Sequence, residues 1–236
     1  MHDQLELLQN GPMRTNHAER LLRQTNEFAS AEHLVDVPGM SSPRVCQFLN
    51  RLVACMDPGE HYLEIGSWHG RTLLSAAFEN RGRLCIACDR FRFFGRHTGF
   101  GYRARRALEG NLARYAGRRA AVHFYDMHSA RFFRRCRFDG SIGVYFYDGD
   151  HSYSGTRRSI AAGAQRLSAR ATVLVDDWNV RRIRAGTLDG LRDAAVRVLW
   201  HRALEGDHTE ATWWNGLGVF YVETTRPSAP VNPVEG

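Results

Sequence analysis

The sequence predicts an α/β fold: a Rossmann-like, mostly parallel sheet with helices on both faces, preceded by an N-terminal helical segment. Three observations predict it. Short apolar runs alternate with helical patterns along most of the chain, as in parallel strands buried between two helical layers. The first five runs end in acids, at Glu64-Ile65-Gly66, Asp89, Asp126, Asp148 and Asp176-Asp177. A glycine-bearing turn, Gly66–Gly70, joins the first run to a helix.

The elements follow in order. Residues 14–35 read as a helix with Leu21, Leu22 and Phe28 as its apolar contacts, closed by the turn Pro38-Gly39. Ser42-Pro43 starts the next helix, with serine as cap and proline in the first turn. Its stripe is Val45, Phe48, Leu49, Leu52 and Val53, and Asp57-Pro58-Gly59 ends it. Strands are expected at 61–65, 84–88, 121–125, 142–147, 171–175 and 217–222. Helices are expected at 72–78, 104–115, 154–167 and 187–199. The domain reading is a helical segment over 1–41, one main domain over 42–225 and a Pro-rich disordered tail over 226–236.

Composition narrows the function. All 32 basic residues are arginine and the net charge is +7. With no lysine, Schiff-base chemistry and P-loop phosphate binding are excluded. The arginines cluster between Arg90 and Arg137 and read as solvated helix faces, because no nucleic-acid module accompanies them. Five cysteines, an odd number, read as reduced packing residues, including the single Cys85–Cys88 pair. No apolar run approaches the ~20 residues that span a bilayer, and Met1–Gly11 lacks an apolar signal core. A cytoplasmic protein that contacts no membrane is expected.

Acids gathered on one rim repel each other, so the rim is read as a site. Parallel sheets bind ligands at that end of their strands. The turn Gly66-Ser67-Trp68-His69-Gly70 has the spacing G-x-x-x-G, not the G-x-G-x-x-G of dinucleotide loops. It suits a ligand without phosphates, or it is simply a tight strand-to-helix turn. Asp89, at the end of the next strand, can accept from two ribose hydroxyls or cap a helix. In Tyr147-Asp148-Gly149-Asp150-His151-Ser152-Tyr153, two acids and a histidine offer a general base or cation ligands. The same stretch also has a turn glycine and a capping serine. Asp176-Asp177, adjacent carboxylates, would with Asp148 make a three-carboxylate magnesium site.

Taken as an ordered set, these residues resemble a family. Glu64-Ile65-Gly66-Ser67-Trp68-His69-Gly70 is similar to motif I of class I S-adenosylmethionine-dependent methyltransferases, and Asp89 matches their acidic ribose ligand. The Asp148-Gly149-Asp150 element and the later Asp176-Asp177 pair resemble the branch containing macrolide and aminocoumarin sugar O-methyltransferases. The chain departs from that branch in the Ser152-Tyr153 continuation and in its short N-terminal portion. The resemblance implies that Glu64, Gly66, Ser67 and Gly70 line the methionine part of the cofactor and Asp89 the ribose. Asp126 and Met127 would sit near adenine. Asp148, Asp176 and Asp177 would hold magnesium, with Asp148 also facing the cofactor, and Asp150 or His151 would be the base. The implied reaction is methyl transfer to a hydroxyl of a small-molecule acceptor. Nucleic acid is not the expected partner, and a homo-oligomer is compatible with the sequence.

Two further segments are candidates for the acceptor side. Phe91–Tyr102, with four phenylalanines and three glycines, reads as a flap or as a loop packed on its own aromatics. Trp213-Trp214 reads as core, with Asn215 and Trp178 as candidates for an acceptor wall. Three other functions use compatible features: a nicotinamide-dependent oxidoreductase, disfavoured by the glycine spacing; a nucleic-acid methyltransferase, for which no base-methylation motif is present; and a non-catalytic cofactor-binding module.

Overall fold

The computed structural model describes residues 16–23, 28, 31–91 and 100–224. Residues 92–99 of the flap candidate and the expected tail, 226–236, lie outside the described residues. Two helices precede the sheet, α1 (His17–Arg23) and α2 (Pro43–Ala54). There follow β1 (Glu60–Ile65), α3 (Arg71–Ala77), β2 (Leu84–Asp89), α4 (Phe100–Arg114), β3 (Ala121–Asp126), α5 (Ser129–Arg135) and β4 (Ser141–Tyr147). The chain closes with α6 (Tyr153–Ala164), β5 (Leu167–Val175), α7 (Arg181–Asp193), β6 (Arg197–Leu204) and β7 (Leu217–Glu223).

The seven strands lie in the order β3-β2-β1-β4-β5-β7-β6. Strands β1 to β5 pair in parallel, while β7 runs antiparallel to both β5 and β6. Alternating residues of each strand feed two cores, as the strand period of two requires. Tyr62, Cys85, Ala87, Val144, Phe146 and Leu174 meet α1–α4 on one face. Leu63, Ile65, Ile86, Tyr145, Tyr147 and Val173 meet α5–α7 on the other. Between β1 and β4 the connections depart to opposite faces, which opens a crevice above the carboxyl ends of those two strands.

The expected cap of α2 is present. Ser42 is extended (φ −84°, ψ 159°), its hydroxyl accepts from the Val45 N–H at 3.4 Å, and Pro43 opens the helix. Ser42→Ala is expected to lower stability by about 1 kcal/mol, read as a shift of the urea midpoint at unchanged slope.

Three expectations are corrected. Residues 31–35, expected as the end of the first helix, are not helical; Val35 and the following Val37 instead pack on Leu74. The helix expected over 187–199 ends at Asp193, and 197–204 is an edge strand. Ala195 turns the chain with φ +54°, and Val198 and Trp200 then pair with Val222 and Tyr221 of β7. The helix expected over 154–167 stops at Ala164 because Leu167 already pairs with Ile142. Helix α5 was not anticipated; His128 caps it by accepting from the Ala130 N–H at 3.0 Å. No described helix is long and apolar enough to cross a membrane.

Candidate cofactor and catalytic site

The glycine turn is built by backbone conformation. Gly66, Trp68 and Gly70 all have positive φ (92°, 42° and 88°), which side-chain-bearing residues rarely adopt. Gly66 also permits a close approach: a Cβ there would lie 1.9 Å from the Asp148 carbonyl oxygen. A Cβ on Gly70 would lie 2.5 Å from the Leu108 side chain. The two glycines thus serve different neighbours, one the tip of β4 and the other α4.

Asp89 holds the turn in shape. Its Oδ2 accepts from the Ser67 and Trp68 N–H groups, both at 2.9 Å, and its Oδ1 accepts from the Phe91 N–H at 3.0 Å. A carboxylate has about four acceptor positions, so most of its capacity is committed to the backbone. Its first structural task is therefore to brace the loop.

Beneath the turn lies Glu64, fully buried. Its Oε2 accepts from the Tyr62 hydroxyl at 2.6 Å. Its Oε1 has no hydrogen-bond partner, nor do the buried hydroxyls of Ser67 and Ser41. Burial pushes the Glu64 carboxyl up to about 8, and the Tyr62 hydrogen bond only partly opposes it. An orphaned buried acceptor facing a loop is unfinished business for a protein; a cationic group supplied from outside would complete it. Ser41 was not singled out from the sequence, because nothing local marks a serine that comes from a distant segment.

Across the crevice, His151 Nε2 lies 3.0 Å from Asp177 Oδ2 and 3.6 Å from Asp148 Oδ1. The two carboxylates, Asp148 foremost, raise the His151 pKa against the opposing effect of its burial. Burial and the Asp177 charge raise Asp148 to about 6, although His151 pulls it down. Asp177 sits at φ +54°. Its second oxygen accepts from the Asn215 Nδ2 at 2.6 Å. Asn215→Ala is expected to cost about 1–2 kcal/mol, since a half-buried carboxylate loses a charge-assisted donor; thermal melting checks it.

The remaining candidates fall elsewhere. Asp176 is buried and directs Oδ1 to the Asp177 N–H at 2.9 Å. It does not join Asp148, His151 and Asp177, whose donor atoms all lie within 4.8 Å of one another. The candidate cation ligands that the structure brings together are therefore Asp148, His151 and Asp177, with His151 where the sequence suggested Asp176. Asp150 accepts from the Ser152 N–H at 2.9 Å. Burial would raise its pKa, but the Ser152 hydrogen bonds outweigh that and hold it low. Of the two candidate bases, only His151 is raised and faces the crevice acids. Asp126 pairs with Arg105 at 2.7 Å, and Met127 packs against Cys136. A cavity of about 350 Å³ opens nearby between α5 and α6, lined by His128, Ser129, Phe133, Asp150 and Arg158 among others. Trp178 is a core residue, set against His201 and Phe220, so it forms no acceptor wall. Trp213 packs on Phe28 and Phe48.

Residues 63–178, just under half of the chain, match the family model described as a methyltransferase domain. Three solved structures share the fold. Cofactor-bound Rv0187 from MTB is 16% identical with a TM-score of 0.56, over 93% of this chain and 96% of that one. A protein from Corynebacterium glutamicum is 15% identical with a TM-score of 0.55, over 92% and 94%. An O-methyltransferase from Bacillus cereus in complex with SAH is 14% identical with a TM-score of 0.51, over 93% and 96%. No curated protein matches the sequence. The fold is that of the S-adenosylmethionine-dependent methyltransferases, and residues 63–178 within it match a methyltransferase domain.

Proposed function

We propose that the chain transfers a methyl group from S-adenosylmethionine to a hydroxyl of a small molecule. The observation that carries the reading is the pairing of two features across one crevice. On one side is a glycine turn over a buried, half-satisfied glutamate. On the other is a histidine held by two carboxylates. Glu64 would accept from the ammonium of the cofactor's methionine part, with Gly66, Ser67 and Gly70 giving the backbone room for it. Asp89 would offer its remaining acceptor position to the ribose. Asp126 and Met127 would border the adenine end; the next residues, His128 and Ser129, line the cavity between α5 and α6.

In the reaction, the acceptor oxygen forms a bond to the methyl carbon as the carbon–sulfur bond breaks. The hydroxyl proton passes to His151, and S-adenosylhomocysteine leaves. The sulfonium is already activated, so the protein's part is alignment and proton removal. Asp177 and Asp148 orient the imidazole and stabilise its protonated form. A divalent cation is a second use of the same cluster: Asp148, His151 and Asp177 present two oxygens and one nitrogen, and a bound ion would acidify an acceptor hydroxyl. The nitrogen donor suits a transition-series ion better than magnesium. Methyl acceptance by oxygen agrees with the O-methyltransferase among the similar structures.

Calorimetric titration of the protein with S-adenosylhomocysteine, NAD and NADP tests the reading. Binding of S-adenosylhomocysteine alone is expected. Tighter binding of NAD would replace the reading with an oxidoreductase. Repeating the titration with chelator, then with manganese, decides whether the acid–histidine cluster takes an ion.

A further inference from the structure

Two segments far apart in sequence meet at the first residue of α3. The Arg71 guanidinium donates Nε to the Val37 carbonyl at 2.6 Å and Nη1 to the Ser41 carbonyl at 2.9 Å. Its Nη1 also lies 3.4 Å from Glu210 Oε1, in the loop between β6 and β7. His33 Nε2 lies 2.9 Å from the same Glu210 oxygen. The Arg71 side chain is only 16% exposed, and a guanidinium so covered requires an opposing charge. Among the described residues, the acid within ion-pair distance of it is Glu210. Asp36, the acid of the nearby segment, pairs instead with Arg114.

Each segment also reaches the crevice. Residues 31–41 lie against the first residue after the glycine turn: a Cβ on Gly39 would fall 2.7 Å from the Arg71 Cβ. The β6–β7 loop reaches the opposite wall through Asn215 on Asp177. It is anchored there by main-chain bonds from Trp178 and Asn179 to Gly216 and Asn215. Hydrogen bonds at Arg71 and at Asp177, joined by the chain of the β6–β7 loop between Glu210 and Asn215, therefore connect residues 37–41 with the wall that carries Asp177 and His151.

We propose that Arg71 and Glu210 are positioning residues that clasp the 31–41 segment and the β6–β7 loop into one cover over the cofactor turn, so that the two stretches loosen and dock together. The inference rests on the cofactor reading above. It follows from the sharing of one guanidinium: each stretch, while docked, holds Arg71 where the other needs it, so the departure of either lowers the cost of opening the other. Such coupling is reciprocal by linkage. The Trp213 contacts with Phe28 and Phe48 keep the loop attached when the clasp alone is removed.

The test is amide hydrogen exchange on the full chain, wild type against Glu210→Ala and Glu210→Gln, together with the dissociation rate of S-adenosylhomocysteine. In Glu210→Ala, exchange in both 31–41 and 205–216 is expected to accelerate about three- to tenfold. Dissociation should quicken by a similar factor. The glutamine variant, which keeps the shape without the charge, falls between. Amides of β1 and β4 should exchange at the wild-type rate, which separates the effect from loss of folding. If 31–41 keeps its wild-type exchange while the loop loosens, there is no clasp. If both loosen but dissociation is unchanged, they are no cover for the cofactor, and the proposal is overturned. A wild-type chain that fails to bind S-adenosylhomocysteine overturns the cofactor reading first, and the positioning role with it.

Discussion

Gly66→Ala is expected to lower stability by about 3–5 kcal/mol and to abolish binding of S-adenosylhomocysteine, the sum of a left-handed backbone cost and an overpacking cost. Gly66 has φ +92°, and its added methyl would fall 1.9 Å from the Asp148 carbonyl oxygen and 2.6 Å from the carbonyl carbon. Neither neighbour can retreat. The Gly66 N–H donates to the Cys88 carbonyl, and the Asp148 N–H donates to the Ile65 carbonyl, both at 2.9 Å. Moving the β4 tip therefore breaks the same rim that carries His151. Gly82→Ala is the control: its φ is +85°, and nothing lies within 4 Å of the added Cβ. It should lose only about 1–2 kcal/mol, the backbone part of the effect. Urea unfolding of both variants compares them, and equal losses would mean that the close approach at Gly66 costs nothing.

Glu64 is expected to make cofactor binding release a proton at neutral pH. In the free protein, burial holds its pKa at about 8, so at pH 7 most molecules carry it neutral. A bound ammonium would favour the charged form, and the proton would leave. Heats of S-adenosylhomocysteine binding at pH 7 should then differ between buffers of different ionisation enthalpy, by nearly one proton's worth. Affinity should strengthen about tenfold from pH 6 to pH 7, and less from 7 to 8, where the site is already partly ionised. Glu64→Gln should remove the proton release and weaken binding roughly 10- to 100-fold, the value of a buried charged hydrogen bond. Proton release that persists in Glu64→Gln would place the titrating group elsewhere.

The same shift sets a stability trend. The folded-state pKa of Glu64 lies above its ordinary value of 4.5, so between 4.5 and 8 the native state holds more of this proton than the unfolded chain does. The contribution of this group is fully present below 4.5 and is lost as pH rises toward 8. Measured in the absence of ligand, the wild type should lose stability across that window relative to Glu64→Gln.

Much of the rim was legible because strand ends are legible. A buried run followed by an acid says where the acid must stand, and Glu64, Asp89, Asp148 and Asp177 all border the crevice. What each carboxylate faces was not legible. Asp89 is spent on the turn's own N–H groups, and Asp176 on the backbone of its neighbour. Asp150 turns to Ser152 while His151, one residue on, turns to Asp177. Adjacent residues in a loop can point in opposite directions, and composition carries no record of which.

The sequence by itself determined the α/β class, the mostly parallel sheet, the glycine turn and the exclusion of lysine chemistry. These depend on local periodicity and residue type, which neighbours in the chain suffice to express. Only the tertiary structure decided that residues 197–204 complete the sheet as an edge strand, because strand β7 had to be in place to pair with them. It alone decided that Trp178 is core, that Asn215 steadies Asp177, and that Arg71 draws two remote segments together. The physical reason is common to all of these. Each is a partnership across long sequence separations, where the energy lies in a shared hydrogen bond or packed ring and neither partner carries the signal alone.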